Sequence, residues 1–307
     1  MTQTPLPNKP PQATLLTRLL TVIRPSRTNN PSMGKPHAFV LKGKKMKAFA
    51  LGAVLVAFGL SACQDKAPTA TEPTTLQIAT EGAYAPFNYT TNEGILAGFD
   101  VDLTHALCAK MNTACTINAQ DWDGIIPALK SGKYDAIISA MSVTEERAKQ
   151  VSFSEPYFVN TLVFIAHKDK NFNPTDTTKL SDVKVASQSS TIASQWLAQA
   201  HPTIKPQLYP TLDGAFLDLS NGRADVAVSD KLPALSWLKS DLGKDFESKG
   251  DEIDINDTFA IAVNLGDDEL LGKFNQALAD IKADGTYDKL IIKHFGEEML
   301  TTTQNNQ

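Results

Sequence analysis

Arg147 stands where a cation is out of place. The stretch Asp135-Ala-Ile-Ile-Ser-Ala-Met-Ser-Val-Thr-Glu-Glu-Arg147 begins with a short apolar run, 135–139, that reads as a buried strand. Thr144 then reads as a helix N-cap, with Glu145 and Glu146 in the first turn, where the helix dipole favours acids. Arg147 falls at N3, where a capping box wants Glu or Gln and where a cation faces the positive end of the dipole. An anion beside it resolves the conflict. It would be held by the guanidinium fork, by free helix N–H groups and by the hydroxyls of Ser139 and Ser142. A bidentate Arg at a strand's carboxyl end suits a small carboxylate. A surface Arg paired with Glu145 or Glu146 is the alternative that the local pattern leaves open.

The elements that must position these groups come in two similar sets. Ala128-Leu-Lys-Ser-Gly-Lys-Tyr-Asp-Ala-Ile-Ile-Ser139 aligns without gaps with Asp218-Leu-Ser-Asn-Gly-Arg-Ala-Asp-Val-Ala-Val-Ser229. Each reads as a helix end, a C′ glycine, a basic residue, an Asp and a buried strand. A weaker pair is 76–80 with 183–187, each a strand running into a polar loop. The repeat predicts two α/β lobes whose strand ends face one cleft, where open α/β sheets bind ligands. Chance likeness of common βα units is the competing explanation. In the second set, Gln188-Ser-Ser-Thr191 is a hydroxyl-rich loop entering a helix over 192–200, a second place for an anion. Ser229-Asp230 puts a carboxylate at the cleft edge. Asp100 or Asp102 is expected to cap a helix running to about Lys110. Residues 160–167 and 257–263 read as extended runs that cross between lobes, and 168–179 as a polar loop. A helix over 270–283 ends at Asp284-Gly285, a last one starts at Thr286, and 301–307 are expected to fray.

The 307 residues allow two domains, and 42% hydrophobic with 21% charged content is ordinary for a globular protein. The net charge of −5 is unevenly spread. Residues 1–62 hold nine Lys and Arg and no acid, leaving 20 basic against 34 acidic side chains, a net −14, in the rest. That argues against nucleic acid as a partner and agrees with a cationic ligand.

Lys42, Lys44, Lys45 and Lys47 form a basic segment, followed by an uncharged, mostly apolar run over 48–62. At 15 residues the run is short for a membrane span and suited to a signal peptide. It ends Leu60-Ser61-Ala62-Cys63, which resembles the lipobox of bacterial lipoproteins. That resemblance implies that Cys63 is lipidated and becomes the mature N-terminus. Residues 1–41 fit no signal peptide, and 1–45 are expected to be a disordered or spurious extension, with translation beginning at Met46 or Met33. Residues 46–62 are then the signal peptide, and 63–75, rich in Pro and Thr, the tether. Export permits a disulfide between the remaining Cys108 and Cys115. One continuous helix would hold positions seven apart about 10 Å from each other, so a bridge requires the helix to end near Met111-Asn112. A buried pair of free thiols is the alternative. The five His form no metal-ligand pattern with these Cys, and no cofactor motif is present.

From about Leu76 to Gly296 the chain resembles the polar-amino-acid solute-binding proteins of bacterial ABC importers, the family 3 extracellular solute-binding proteins. Thr80-Glu-Gly-Ala-Tyr-Ala-Pro-Phe87, Gly98-Phe-Asp-Val-Asp-Leu103, Trp122-Asp-Gly-Ile-Ile-Pro-Ala-Leu129, Thr144-Glu-Glu-Arg147, Phe153-Ser-Glu-Pro-Tyr157 and Ala283-Asp-Gly-Thr-Tyr287 carry the resemblance. It is strongest to the lysine/arginine/ornithine, histidine and arginine branch, whose Cys-x6-Cys disulfide matches Cys108 and Cys115. The resemblance implies an α/β fold of two lobes joined by two crossover strands, near 160–162 and 256–258, with hinge closure on the ligand. Lobe 1 would be 76–160 with 257–300, and lobe 2 would be 161–256.

Carried over by position, Arg147 would grip the ligand α-carboxylate with help from Ser190 and Thr191. Asp230 would accept from the α-ammonium, aided by Ser142 and the Ser139 carbonyl. Tyr84 and Trp122 would stack on the ligand side chain, and Glu81 would meet its distal cation. A zwitterion needs one fixed cation and one fixed anion, and Arg147 and Asp230 supply them. Ala140, Ser190 and Ile192 depart from the family pattern and leave open the choice among arginine, lysine, ornithine and histidine, with arginine leading because of Trp122 and Tyr84. The implied protein is a monomeric, non-enzymatic, lipid-anchored periplasmic or cell-surface carrier serving an ABC permease. An amino-acid sensor, or a prephenate/arogenate dehydratase-like enzyme on the same fold, is the alternative.

Overall fold

The structure, a computed structural model, describes residues 75–174 and 183–300. The expected extension, signal peptide, Cys63 and the tether through residue 74 lie outside the described residues, as do 175–182 of the polar loop region and the tail 301–307.

The two expected strand sets form two five-stranded sheets. The first runs in the order Cys115–Ala119, Leu76–Thr80, Ala136–Ile137, Ala262–Asn264, Val151–Phe153. The second runs Gln207–Tyr209, Val185–Gln188, Val226–Asp230, Phe158–His167, Phe246–Phe259. Each begins with three parallel strands and continues with an antiparallel neighbour. The fold is thus a two-lobed α/β architecture.

The sequence repeat has a physical cause. Gly132 and Gly222 take left-handed φ of 76° and 69°, and the following Lys133 and Arg223 amides return to the carbonyls of Ala128 and Asp218. Next, Asp135 donates its N–H to the Gln77 carbonyl at 2.8 Å and accepts the Gln77 N–H on Oδ2 at 2.7 Å. Asp225 treats Lys184 the same way, at 2.8 and 2.9 Å. In both sheets this Asp therefore sets the register between the repeat strand and its neighbour.

Two strand limits differ from expectation. The run expected over 135–139 is a regular strand only at Ala136–Ile137, because Ala140 sits at φ 43° and bends the chain. The strand expected over 183–187 is Val185–Gln188, so Gln188 belongs to the strand rather than to the loop.

Neither Asp100 nor Asp102 caps the helix Phe99–Lys110; its N-cap is Gly98, at φ 119°. A Cβ on Gly98 would lie 2.3 Å from the Phe87 carbonyl oxygen, which accepts the Asp100 N–H, so the residue must be glycine. Asp100 is instead fully buried, with bonds from Asn88 Nδ2 (2.8 Å) and the Tyr157 hydroxyl (3.0 Å). Asp102 pairs with Lys293 at 2.6 Å. The helix ends at Lys110, Asn112 turns at φ 49°, and Cys108 and Cys115 are joined as a disulfide with Cα atoms 6.2 Å apart.

The runs 158–167 and 246–259 are long antiparallel partners, pairing Phe158 with Phe259, Val159 with Thr258 and Asn160 with Asp257. Beneath them Phe87 meets the rings of Phe158, Phe259 and Phe295 at 5.1–5.3 Å between centroids. Such aromatic pairs add about 0.5–1.5 kcal/mol each beyond burial. They fix the ends of the two strands that carry Asn160 and Asp257 to the site.

Candidate functional site

The site lies at the carboxyl ends of the parallel strands of both sheets. Thr144 caps the short helix Glu145–Ala148 as expected, its hydroxyl accepting the Arg147 N–H at 3.2 Å. Arg147 is only 6% exposed and bonds to neither Glu145 nor Glu146. Its guanidinium donates to the Ser142 carbonyl at 2.7 Å and to the Ser190 carbonyl at 2.9 Å. Two of its five N–H groups are so engaged, and the rest have no protein partner among the described residues. The Trp122 ring covers the guanidinium, with Cζ 5.1 Å from the centroid, and its Nε1 donates to the same Ser190 carbonyl at 3.2 Å. Burial lowers the Arg147 pKa, opposed by the charges of Asp257 and Asp230.

Asp230 ends the strand Val226–Asp230 and is 3% exposed. Its two oxygens accept from the Tyr84 hydroxyl at 2.5 Å and from Asn160 Nδ2 at 2.8 Å. Burial, then the neighbouring Asp257, pushes its carboxyl up to about 7, against the pull of the Tyr84 and Asn160 bonds and of Arg147. Asn160 also donates to Asp257 Oδ2 at 2.8 Å, an oxygen shared with the Ser142 hydroxyl at 2.9 Å. Asp257 Oδ1 is buried without a partner among the described residues.

Glu81 follows the strand Leu76–Thr80. Its N–H is held by the Ser139 hydroxyl at 2.9 Å, and its Oε1 accepts Gln188 Nε2 at 2.6 Å. Burial raises its pKa from 4.5 to about 7; the Gln188 bond opposes the rise, and Asp213, Asp121 and Asp123 add to it. Thr191 caps the helix Ile192–Ala200 in a capping box with Ser194.

These groups wall a small pocket with a cavity volume of about 10 Å³, room for about one water molecule with the side chains placed as they are. Glu81, Tyr84, Trp122, Ser139, Ser142, Arg147, Thr191 and Asp230 all line it, joined by Ala140, Gln188 and Ile192. Ser190 enters through its backbone. At φ 59° its backbone turns a carbonyl, not its hydroxyl, to Arg147 and Trp122. Tyr84 reaches Asp230 through its hydroxyl, and Trp122 lies on Arg147. Sequence reasoning missed Gln188, Asn160 and Asp257. Asn160 and Asp257 were legible only as parts of extended runs, and Gln188 only as part of a loop.

Residues 76–297 match the model of the bacterial extracellular solute-binding proteins, family 3. The ABC transporter arginine-binding protein 1 of Escherichia coli strain K12 is 37% identical over 254 residues, spanning 81% of this chain and 99% of its own length. The lysine/arginine/ornithine-binding periplasmic protein of the same organism is 35% identical over 232 residues, 73% of this chain and 88% of its own. Among solved structures, an ancestral arginine-binding protein bound to glutamine superposes with a TM-score of 0.68 at 37% identity, over 73% of this chain and 98% of that one.

Proposed function

The chain belongs to the bacterial extracellular solute-binding proteins, family 3, and on that premise we propose that it captures a basic L-amino acid and hands it to the permease of an ABC importer. Arginine is the first candidate, then lysine, ornithine and histidine. The relatives are transport binding proteins, and the chain is a binding protein of amino-acid transport rather than an enzyme. They also support a periplasmic or extracellular location.

The observation that carries the ligand reading is the placing of three charges in one small pocket. Arg147 is held with spare N–H groups in the site of a carboxylate. Asp230 stands across the pocket to receive an ammonium. Glu81 lies against Gln188 as a further acid for a distal cation. An α-carboxylate on Arg147 would be bonded bidentately, with the Thr191 end of its helix beside it. The ammonium would offset the buried charge of Asp230, which is otherwise costly. A guanidinium or second ammonium would do the same for Glu81. The two long crossover strands supply the hinge on which the lobes close. We assign the anchor to lipid on Cys63 and take lobe 1 as 76–160 with 257–300 and lobe 2 as 161–256, with the carrier acting as a monomer.

Calorimetric titration of the ligand-stripped protein with arginine, lysine, ornithine, histidine and glutamine tests this. The expected result is sub-micromolar binding of a basic amino acid, lost in Arg147→Ala and much weakened in Glu81→Ala. Binding of glutamine alone would overturn the role of Glu81. Binding of no amino acid would overturn the ligand class.

A further inference from the structure

Gln188 is 98% hidden from solvent, being 2% exposed, and its amide has one possible orientation. Nε2 donates to Glu81 Oε1 at 2.6 Å and to the Pro210 carbonyl at 3.2 Å. Flipping the amide would set its oxygen against the Pro210 carbonyl and, with Glu81 ionised, against a carboxylate oxygen, with no donor between them. The oxygen therefore points the other way, and there Oε1 has no hydrogen-bond partner among the described residues. A buried amide oxygen without a donor is rare in native proteins and is expensive. Gln188 also lines the ligand pocket beside Glu81. Glu81 in turn uses one carboxylate oxygen on Gln188, while Oε2 has no protein donor among the described residues.

Resting on the amino-acid-binding reading above, we infer that Gln188 is the residue that selects a guanidinium over an ammonium. Its Oε1 and the second oxygen of Glu81 are two acceptors on adjoining side chains, one neutral and one acidic, fixed to each other by the 2.6 Å bond. A guanidinium presents separate N–H groups in a rigid plane and satisfies both acceptors at once. An ammonium on a flexible stem gathers its donors at one point and is drawn to the carboxylate. It leaves the buried amide oxygen unpaired. Glu81 thus supplies attraction to either cation, and Gln188 supplies the discrimination. A site built to satisfy a buried polar group rejects the ligand that leaves it bare.

Two variants separate these parts. Gln188→Met keeps the length and removes the acceptor. Glu81→Gln removes the charge and keeps an acceptor at each position. The dissociation constants of arginine and lysine are measured for the wild-type protein and both variants, and thermal melts check folding. The expected wild-type preference for arginine over lysine falls by about tenfold in Gln188→Met. In Glu81→Gln both ligands weaken together and their ratio holds. A ratio unchanged in Gln188→Met overturns the inference, as does a ratio that collapses only in Glu81→Gln. If Gln188→Met does not fold, the Glu81→Gln ratio and the wild-type preference still decide: no wild-type preference for arginine overturns it. A wild-type protein that binds neither ligand refutes the underlying ligand reading instead, so the two failures are distinct.

Discussion

Replacing Glu81 by Gln should stabilise the ligand-free protein, by an amount that grows as pH rises from about 4.5 to about 7. Burial lifts the Glu81 carboxyl from 4.5 to about 7. A group with a raised folded-state pKa gives stability that is present below its unfolded value and is lost as pH rises through the folded value. For Glu81 that loss runs from about pH 4.5 to about pH 7 and is complete above it. At about 1.4 kcal/mol for each tenfold, the gap amounts to roughly 3 kcal/mol. Gln is the same size, and its amide oxygen can still accept Gln188 Nε2, so the change removes chiefly the charge. The assay is thermal unfolding of the ligand-stripped protein at pH 5 and pH 8.5. At pH 5 the two proteins should differ by no more than about 1 kcal/mol, because the unfolded-state carboxyl has only begun to ionise. At pH 8.5 Glu81→Gln should melt higher, by up to roughly 6–12 °C for a chain of this size. Asp230 titrates in the same window in both proteins and cancels from the comparison. A variant that is less stable at pH 8.5, or a difference equal at the two pH values, would refute the reasoning.

Four further outcomes follow from the same geometry. Arginine affinity, measured by calorimetry from pH 5 to 9, should rise to about pH 7 and then level off. Glu81 and Asp230 must shed protons to meet the guanidinium and the ammonium of arginine, and each contributes up to about tenfold per pH unit below its pKa. The Cys108→Ser, Cys115→Ser pair should lose roughly 2–3 kcal/mol in denaturant unfolding, the loop entropy of a bridge spanning a separation of seven. Gly98→Ala should lose about 3 kcal/mol or more in the same assay, from a φ of 119° and a Cβ driven onto the Phe87 carbonyl. Cys63→Ser should abolish incorporation of labelled fatty acid and release the protein from the membrane fraction.

Features set by local chemistry were legible in the sequence. The Thr144 cap and the misfit at Arg147 led to the site because capping rules act over four residues. The repeat glycines and the aspartates at 135 and 225 were readable because each does one local task twice. What escaped depends on backbone direction or on distant partners. The Ser190 carbonyl serves Arg147 because a left-handed φ turns it there, and side-chain identity cannot show that. Gln188, Asn160 and Asp257 acquire their roles from residues 107, 70 and 97 positions away along the chain. Asp100 looked like a cap by its spacing, yet Asn88 and Tyr157 draw it into the interior and leave capping to Gly98.

The strand Ala262–Asn264 lies inside the first sheet, between Ala136–Ile137 and Val151–Phe153. The chain leaves that sheet at Phe153 and comes back to it at Ala262, after all five strands of the second sheet have been made. Emerging from its amino end, the polypeptide can complete the second sheet while the first still has an open slot beside Ala136–Ile137. The first sheet can therefore close only after the segment that forms the second has been made. The earliest segment waits for nearly the last, held open by the entropy of a long loop. A chain cut before Ala262 would lose an interior strand, leaving the edges of two neighbours bare for another chain to fill.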